Sequence, residues 1–452
     1  MADRCVGFVF SGGGAKGSFS AGAVDYLIRE RSVLPSIITG TSAGSICAAV
    51  LAQARSAAEF SGLAGVLRDD IMRMSLPDAT FAKQPWLTAL DGTAAGDDIT
   101  KVIRGKTRPV IPPDPTMSDD VLATGGPPTL TFRQVWDDLR SLVTNLPAEH
   151  RALKSLGSDN RSLMLLDPLE KALRGQSPGV GPSPIDEKAI ARPDLQLRLT
   201  ITALNDGCPR FVTESGAVVD SDAVTPAEGS PVPGVIEGLL ASSSVPAVFP
   251  ARPIGSDVYV DGGVVMNIPL EPALSLGAQD VFLILADPLD CPPPTCDYSS
   301  ANLFEVLTRA ESTVSFYTQQ HSDVARSLSS DVTMTTIDPT VVAVSTFETE
   351  GDLLQINMDY GWLRAAGETS ELAEADRTTA HGLADRLTIG RLRSWYLDNG
   401  FGGSGAAHDK SAVSARSLVS DSLSQWTALG LPVPATASSW ATKPTPTPKP
   451  AR

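Results

Sequence analysis

The 452-residue sequence predicts an α/β fold: a mostly parallel central sheet flanked by helices, followed by a helical C-terminal region. Three observations carry that reading. Apolar runs closed by glycine alternate with stretches at helical spacing over the first fifty residues, as parallel strands and their crossover helices do. The runs themselves, such as "VGFVF" and "VFLIL", are apolar throughout rather than alternating, which suits strands covered on both faces. Hydrophobic residues make up 42% of the chain, enough for a large core.

The elements follow in order. "VGFVF" (6–10) is the first strand, "SGGGAKGSFSAG" turns the chain, and residues 18–31 read as a helix. "SIIT" (36–39) is the second strand, and "SAGSICAAVLAQA" is a helix of small residues able to pack close to a sheet. From about 76 to 190 the pattern loosens. Residues 107–129, rich in proline, glycine and aspartate, read as a long loop. Thr131 with Gln134 then forms a capping-box pattern, and Asp167-Pro168-Leu169-Glu170 supplies an N-cap, an N1 proline and a glutamate at N3. Strands are expected over 195–205, 257–260 and 280–288, and a helix over 234–244 ahead of Pro246. Beyond 300 the chain is mainly helical. Leu383, Leu387, Leu392 and Trp395 make an apolar stripe there that reads as a core-facing helix side. Residues 1–300 are expected as one domain with 76–190 as a loop-rich helical insertion. The region 301–430 is expected to pack on it, and 431–452 to be a disordered proline- and threonine-rich tail.

Charge and cysteine usage exclude several classes. Lys and Arg number 36 against 52 Asp and Glu, a net charge of −16. Such a chain is a poor nucleic-acid binder, and an anionic membrane would repel it except at an apolar or locally basic patch. Lys101, Arg104, Lys106 and Arg108 form one basic stretch. Five cysteines are scattered. Cys291 and Cys296 could close a small loop, but no second pair or nearby histidine makes a zinc site, and no metal is expected. The N-terminus lacks the pattern of a signal peptide, and nowhere do roughly 18 apolar residues run together. A cytoplasmic protein, at most peripheral to a membrane, is the expectation.

Two glycine turns carry the chemistry. "GGGAKG" (12–17) opens the first helix and leaves backbone N–H groups unobstructed there. Its Gly12, Gly14 and Gly17 also fit G-x-G-x-x-G. A dinucleotide site, however, needs an acid at the end of the second strand to hold the ribose, and Thr39-Gly40 offers none. A Walker loop fails because Ala15 precedes Lys16. Gly40-Thr41-Ser42-Ala43-Gly44 fits the nucleophile elbow G-x-S-x-G. The N–H groups of the first loop can then serve as an oxyanion hole for Ser42. A base is still required. Asp261, closing a strand ahead of Gly262 and Gly263, is the candidate, whereas His150, His321, His381 and His408 sit in no strand-end turn. A Ser–Asp dyad fits better than a triad.

"GGGAKG", "GTSAG" and "DGG", in this order, resemble the three signatures of the patatin-like phospholipase family, over roughly residues 5–290. "ASSSVPAVFP" (241–250) and Asn267-Ile268-Pro269 are smaller likenesses. The resemblance implies an α/β sandwich related to α/β hydrolases, acting on acyl esters of lipids as a phospholipase A or lysophospholipase. It implies Ser42 as nucleophile, Asp261 as base, and Gly12, Gly13 and Gly14 as the oxyanion loop with Gly13 and Gly14 as donors. Gly40, Gly44, Gly262 and Gly263 shape the turns. Lys16 takes the family's basic position, either drawing a lipid phosphate as a substrate-binding residue or supporting the loop. No cofactor is implied; a lipid bearing a fatty acyl ester and transient contact with a membrane or micelle surface are. Segment 76–190, proposed as a lid, and the region after 300 depart from the family pattern. A storage or binding protein on the same scaffold is the alternative, and a dinucleotide-binding protein is the third reading. Asn267 reads as a cap for a helix beginning near Pro269.

Overall fold

The computed structural model describes residues 4–76, 78–88, 91, 162–177, 179–246, 248–289, 320, 324, 332–400 and 405–440. The 107–129 loop, the Thr131–Gln134 capping pattern, the basic stretch 101–108, Cys291, Cys296, His150, His321 and residues 441–452 lie outside these.

The chain begins as expected, with β1 (Val6–Phe10), α1 (Gly17–Arg29), β2 (Ile37–Thr41) and α2 (Ala43–Ala52). β2 runs two residues further than the sequence suggests, because Gly40 and Thr41 still pair with the next strand. α3 (Ala57–Met74) follows, its N-cap Ser56 accepting from the Glu59 N–H. Two short strands, β3 (Ala82–Lys83) and β4 (Met164–Leu165), pair with each other apart from the main sheet. α4 (Asp167–Leu173) starts one residue earlier than its capping pattern implies. Leu166 is the N-cap, no side chain caps it, and Asp167 and Glu170 act only as acids in the first turn.

The main sheet is completed by β5 (Gln196–Ala203), β6 (Pro209–Thr213), β7 (Val218–Val219), β8 (Arg252–Ile254), β9 (Asp257–Asp261), β10 (Asp280–Ile284) and β11 (Thr333–Ile337). Its order is β11-β10-β1-β2-β5-β6-β7, with β9 on β5 and β8 on β9. The five strands β11 to β5 are parallel; β6 to β9 join antiparallel. Both faces are covered. Phe8, Phe10 and Ile38 point into the larger core beneath α1, α2 and α3, while Val9, Ile37 and Leu283 point into a second one under α6 (Leu270–Ser275). α5 (Val235–Ser242) lies between these in the chain.

The C-terminal helices α7 (Gly351–Glu368), α8 (Glu374–Asp398) and α9 (Ala406–Ala428) belong to the same body. α7 crosses α1 backbone to backbone. A Cβ on Gly22 would meet the Met358 carbonyl at 1.8 Å, and one on Gly361 the Phe19 carbonyl at 1.9 Å, so only glycine permits that crossing. Leu383, Leu387 and Leu392 of α8 are buried, as their stripe predicts. The expected disordered tail is corrected at 431–440. A 3-10 turn, Ala435–Ser439, docks there through Thr436 Oγ1 on Asp359 Oδ1 (2.8 Å) and Trp440 stacked on Arg391 (4.2 Å). Among the described residues no helix is long and apolar enough to cross a membrane.

Candidate active site

Two strand ends meet head to head along one edge of β5. β2 runs parallel to β5 and stops with Thr41 opposite Thr200; β9 comes antiparallel from the other side and stops with Asp261 opposite Ile201. Ser42 and Asp261 are thereby brought together by one residue of register. The sequence places Asp261 correctly at a strand end but does not reveal the strand's direction. That direction comes from the β8–β9 hairpin, whose Gly255-Ser256 connection was the available signal.

Ser42 stands in a backbone conformation few side chains adopt, φ 53° and ψ −124°, at the head of α2. Such a residue stores roughly 1–3 kcal/mol that the surroundings must offset. Those surroundings are specific: the Ser42 N–H donates to Ser242 Oγ (2.9 Å) and the Ser42 carbonyl accepts from Ser45 Oγ (2.5 Å). The flanking glycines are forced by close approach. A Cβ on Gly40 would meet the Gly44 carbonyl at 2.4 Å, and one on Gly44 the Ser11 carbonyl at 2.6 Å.

Asp261 is wholly buried. Its Oδ1 accepts from the Gly263 N–H at 2.8 Å, whereas Oδ2 has no hydrogen-bond partner among the described residues. Burial pushes its carboxyl up to about 7, against the lowering effect of the nearby Ser42 hydroxyl and the Gly263 N–H. The Ser42 hydroxyl is near enough to lower that value, although the two groups form no hydrogen bond of standard geometry.

In the glycine loop, Gly12 differs from its neighbours. Its N–H donates to the Asn267 carbonyl at 3.1 Å, in keeping with a place in the loop but not among its two expected donors. The N–H groups of Gly13 and Gly14 have no acceptor among the described residues, nor has that of Ala43, the first residue of α2. Gly14, at φ +58°, is held by Thr346, whose carbonyl accepts the Ala15 N–H at 2.8 Å. Lys16 faces inward rather than toward a ligand. Buried, its Nζ lies 2.6 Å from Asp287 Oδ1 just beyond β10, while Asn357 of α7 donates to the Lys16 carbonyl at 3.2 Å. Of its two readings, support of the loop is the one the geometry favours, and its charge is committed there.

A cavity of about 120 Å³ opens at Ser42. Apolar side chains line most of it, including Ile46, Ile71, Phe81, Leu169, Val245 and Phe347. That volume is close to the roughly 150 Å³ apolar cavity that takes one benzene, so it accommodates a short stretch of an acyl chain. The wall at 346–349 was missed by sequence reading. No motif marks it, and it comes from beyond 300. Cys47 also lines the cavity, its thiol pushed up to about 12 by burial and thus inert as a nucleophile. His381 is held by Glu368 (2.9 Å) and His408 lies near the Leu397 carbonyl, both on the C-terminal helices and neither lining the cavity. Among the described residues no cluster of three or more His, Cys, Asp or Glu is placed to hold a metal ion.

An open, mostly parallel sheet with a G-x-S-x-G elbow and a glycine-rich loop at neighbouring strand ends is the architecture of α/β hydrolase-type proteins. The chain belongs to the patatin-like phospholipase family, whose model matches residues 8–118 and 121–274. That match runs through 76–190, so the segment that departed from the expected pattern is part of the family's domain. Membership supports lipid hydrolase activity. Among solved structures the chain is similar to VipD from Legionella pneumophila, at 14% identity, covering 97% of this chain and 90% of that one with a TM-score of 0.32. It is also similar to the type III effector ExoU, at 15% identity, 97% and 72% coverage and a TM-score of 0.22. The full-length SpcU–ExoU complex from Pseudomonas aeruginosa gives 16%, 93%, 68% and 0.22. No match is found among curated protein sequences.

Proposed function

We propose that the protein hydrolyses fatty acyl esters of phospholipids or lysophospholipids through a Ser42–Asp261 dyad. Ser42 Oγ attacks the ester carbonyl carbon while Asp261 Oδ2 takes its proton. The carbonyl electron pair moves to oxygen, where the N–H groups of Gly13 and Gly14 hold the developing charge. Collapse of that intermediate expels the alcohol, which receives the proton from Asp261 and leaves an acyl-Ser42. Asp261 then deprotonates water for attack on the acyl-enzyme, and a second collapse returns the proton to Ser42 with release of the fatty acid. The acyl chain lies in the apolar cavity below Ser42.

The observation that carries this reading is a fully buried carboxylate with one oxygen unpartnered, set beside a serine in a strained backbone conformation. A fluorophosphonate probe should label wild type at Ser42 and fail on Ser42→Ala. Labelling at another serine would remove the assignment. Residues 76–190 are proposed as the cover of the cavity, on the strength of Phe81, Leu166 and Leu169 lining it.

A further inference from the structure

Asn267 is buried, and its Nδ2 has no hydrogen-bond partner among the described residues, the same condition as Asp261 Oδ2. It caps no helix. α6 begins at Leu270 behind Pro269, and no side chain bonds to its first turn. Instead Asn267 wedges between the two loops that hold the dyad. A Cβ on Gly12 would lie 2.6 Å from Asn267 Oδ1 and 3.2 Å from Ser42 Cβ. One on Gly263 would lie 3.1 Å from Asp261 Oδ1 and 3.2 Å from Asn267 Oδ1. Carboxylate and carboxamide therefore border one small space. The residue is fixed there by its own backbone, which accepts the Gly12 N–H, and by Met266, whose carbonyl accepts from Thr41 Oγ1 at 3.1 Å.

A buried amide donor with nothing to donate to costs free energy unless a state exists in which it pairs, and the Asp261 oxygen that borders the shared space is Oδ1, which accepts only the Gly263 N–H and has a lone pair for a second donor. A half-turn about the last side-chain bond of asparagine exchanges its oxygen and nitrogen, so the donor end can face the space shared with Asp261. We propose that Asn267 is a positioning residue whose amide N–H donates to Asp261 while that carboxylate is ionised. The inference rests on the dyad reading above. The donor holds the base in its proton-accepting form and fixes which oxygen faces Ser42.

The other groups around Asp261 leave this role open. From the head of α2 comes the Ser42 hydroxyl, from the following turn the Gly263 N–H, and from β5 the Thr202 hydroxyl, which donates to the Asp261 main-chain carbonyl. Charges on the neighbouring elements are engaged elsewhere. Lys16 is closed on Asp287, Arg198 of β5 on Glu214, and Glu237 of α5 on Arg174, while Asp257 at the far end of β9 faces Tyr259. Glu348 lines the cavity wall.

The test is the pH profile of kcat/KM on a soluble short-chain nitrophenyl ester for wild type, Asn267→Ala and Asn267→Asp. Fluorophosphonate labelling of Ser42 at pH 9 is followed alongside. Loss of the donor in Asn267→Ala should move the acidic limb upward by about one pH unit. The isosteric Asn267→Asp, which keeps the backbone bond to Gly12, should move it further because two carboxylates then share one site. A folded variant of either kind that loses rate with its acidic limb unmoved overturns the proposal, since a structural or oxyanion-binding amide would behave that way. If Asn267→Ala does not fold, Asn267→Asp decides alone. Failure of Ser42 to label in wild type would instead sink the dyad reading, so the two failures are distinguishable.

Discussion

Asp287 and Asp261 lie at the ends of two strands of one sheet, both buried, yet their surroundings are opposite. Asp287 receives the Lys16 ammonium at 2.6 Å; Asp261 receives one backbone N–H and no cation. The contrast extends further. Among the described residues five aspartates are buried, and Asp25, Asp70, Asp287 and Asp359 each meet a cation: Arg29 and Arg68, Arg73, Lys16 and Arg391 in turn. Asp261 is the exception. A buried carboxylate without a counter-ion is unfavourable, and a fold that neutralises the other four leaves this one beside a serine. The four paired aspartates are charge-balanced; the unpaired one is the carboxylate to which the proposed proton transfer is assigned.

Breaking the two aspartates in turn should give effects of different kind. Asp261→Asn cannot accept the Ser42 proton, and with Ser42→Ala it should show the largest loss. Removal of the serine from a subtilisin costs about 10⁶ in kcat. A folded Asp261→Asn within tenfold of wild type would end the base assignment. Next in size is Lys16→Met, which strands Asp287 without its partner and should cost about 3–5 kcal/mol of stability in denaturant unfolding. Restoring neutrality with Lys16→Met/Asp287→Leu should recover most of it. A double variant as unstable as the single one would show that the pair acts through something other than charge.

Stability at Asp261 should move the other way, with a definite pH dependence. Its folded pKa is raised from 3.8 to about 7, so well below pH 3.8 both states are protonated and no penalty exists. As pH rises through the interval the unfolded chain ionises first, and stability falls until pH 7, the loss being complete above it. Asp261→Asn should therefore be more stable than wild type at pH 8 by up to about 4 kcal/mol, at about 1.36 kcal/mol per pKa unit, with that advantage gone at about pH 3. Thermal unfolding at the two pH values measures the difference, and an asparagine variant less stable at pH 8 would contradict it. The smallest effect belongs to His381→Gln and His408→Gln, both expected to keep most activity because neither lines the cavity.

Much of this was legible from local pattern. The strands around "VGFVF" and "SIIT", the two glycine turns and the aspartate ahead of Gly262 are specified by residues adjacent in the chain. What was not legible depends on distant partners. The charge of Lys16 is met by Asp287, 271 residues on, and Gly12 is engaged by Asn267. The cavity wall at 346–349 and the Asn357 contact come from a region that shares no motif with the first three hundred residues. The head-to-head meeting of β2 and β9 lay between the two cases. Its hairpin signal at Gly255-Ser256 is local, but the pairing of β9 with β5 is not.

The central claim, that an unpaired buried Asp261 is the direct base, is tested most directly by the pH dependence of kcat/KM in a protein with all four histidines replaced by glutamine. The profile should retain a single acidic limb near pH 7, with activity rising as pH rises through it, because only the ionised carboxylate accepts the serine proton. Any single histidine replacement that leaves the protein folded yet slows it a thousandfold or more, or that abolishes this limb, would make that histidine the base and reduce Asp261 to orienting it.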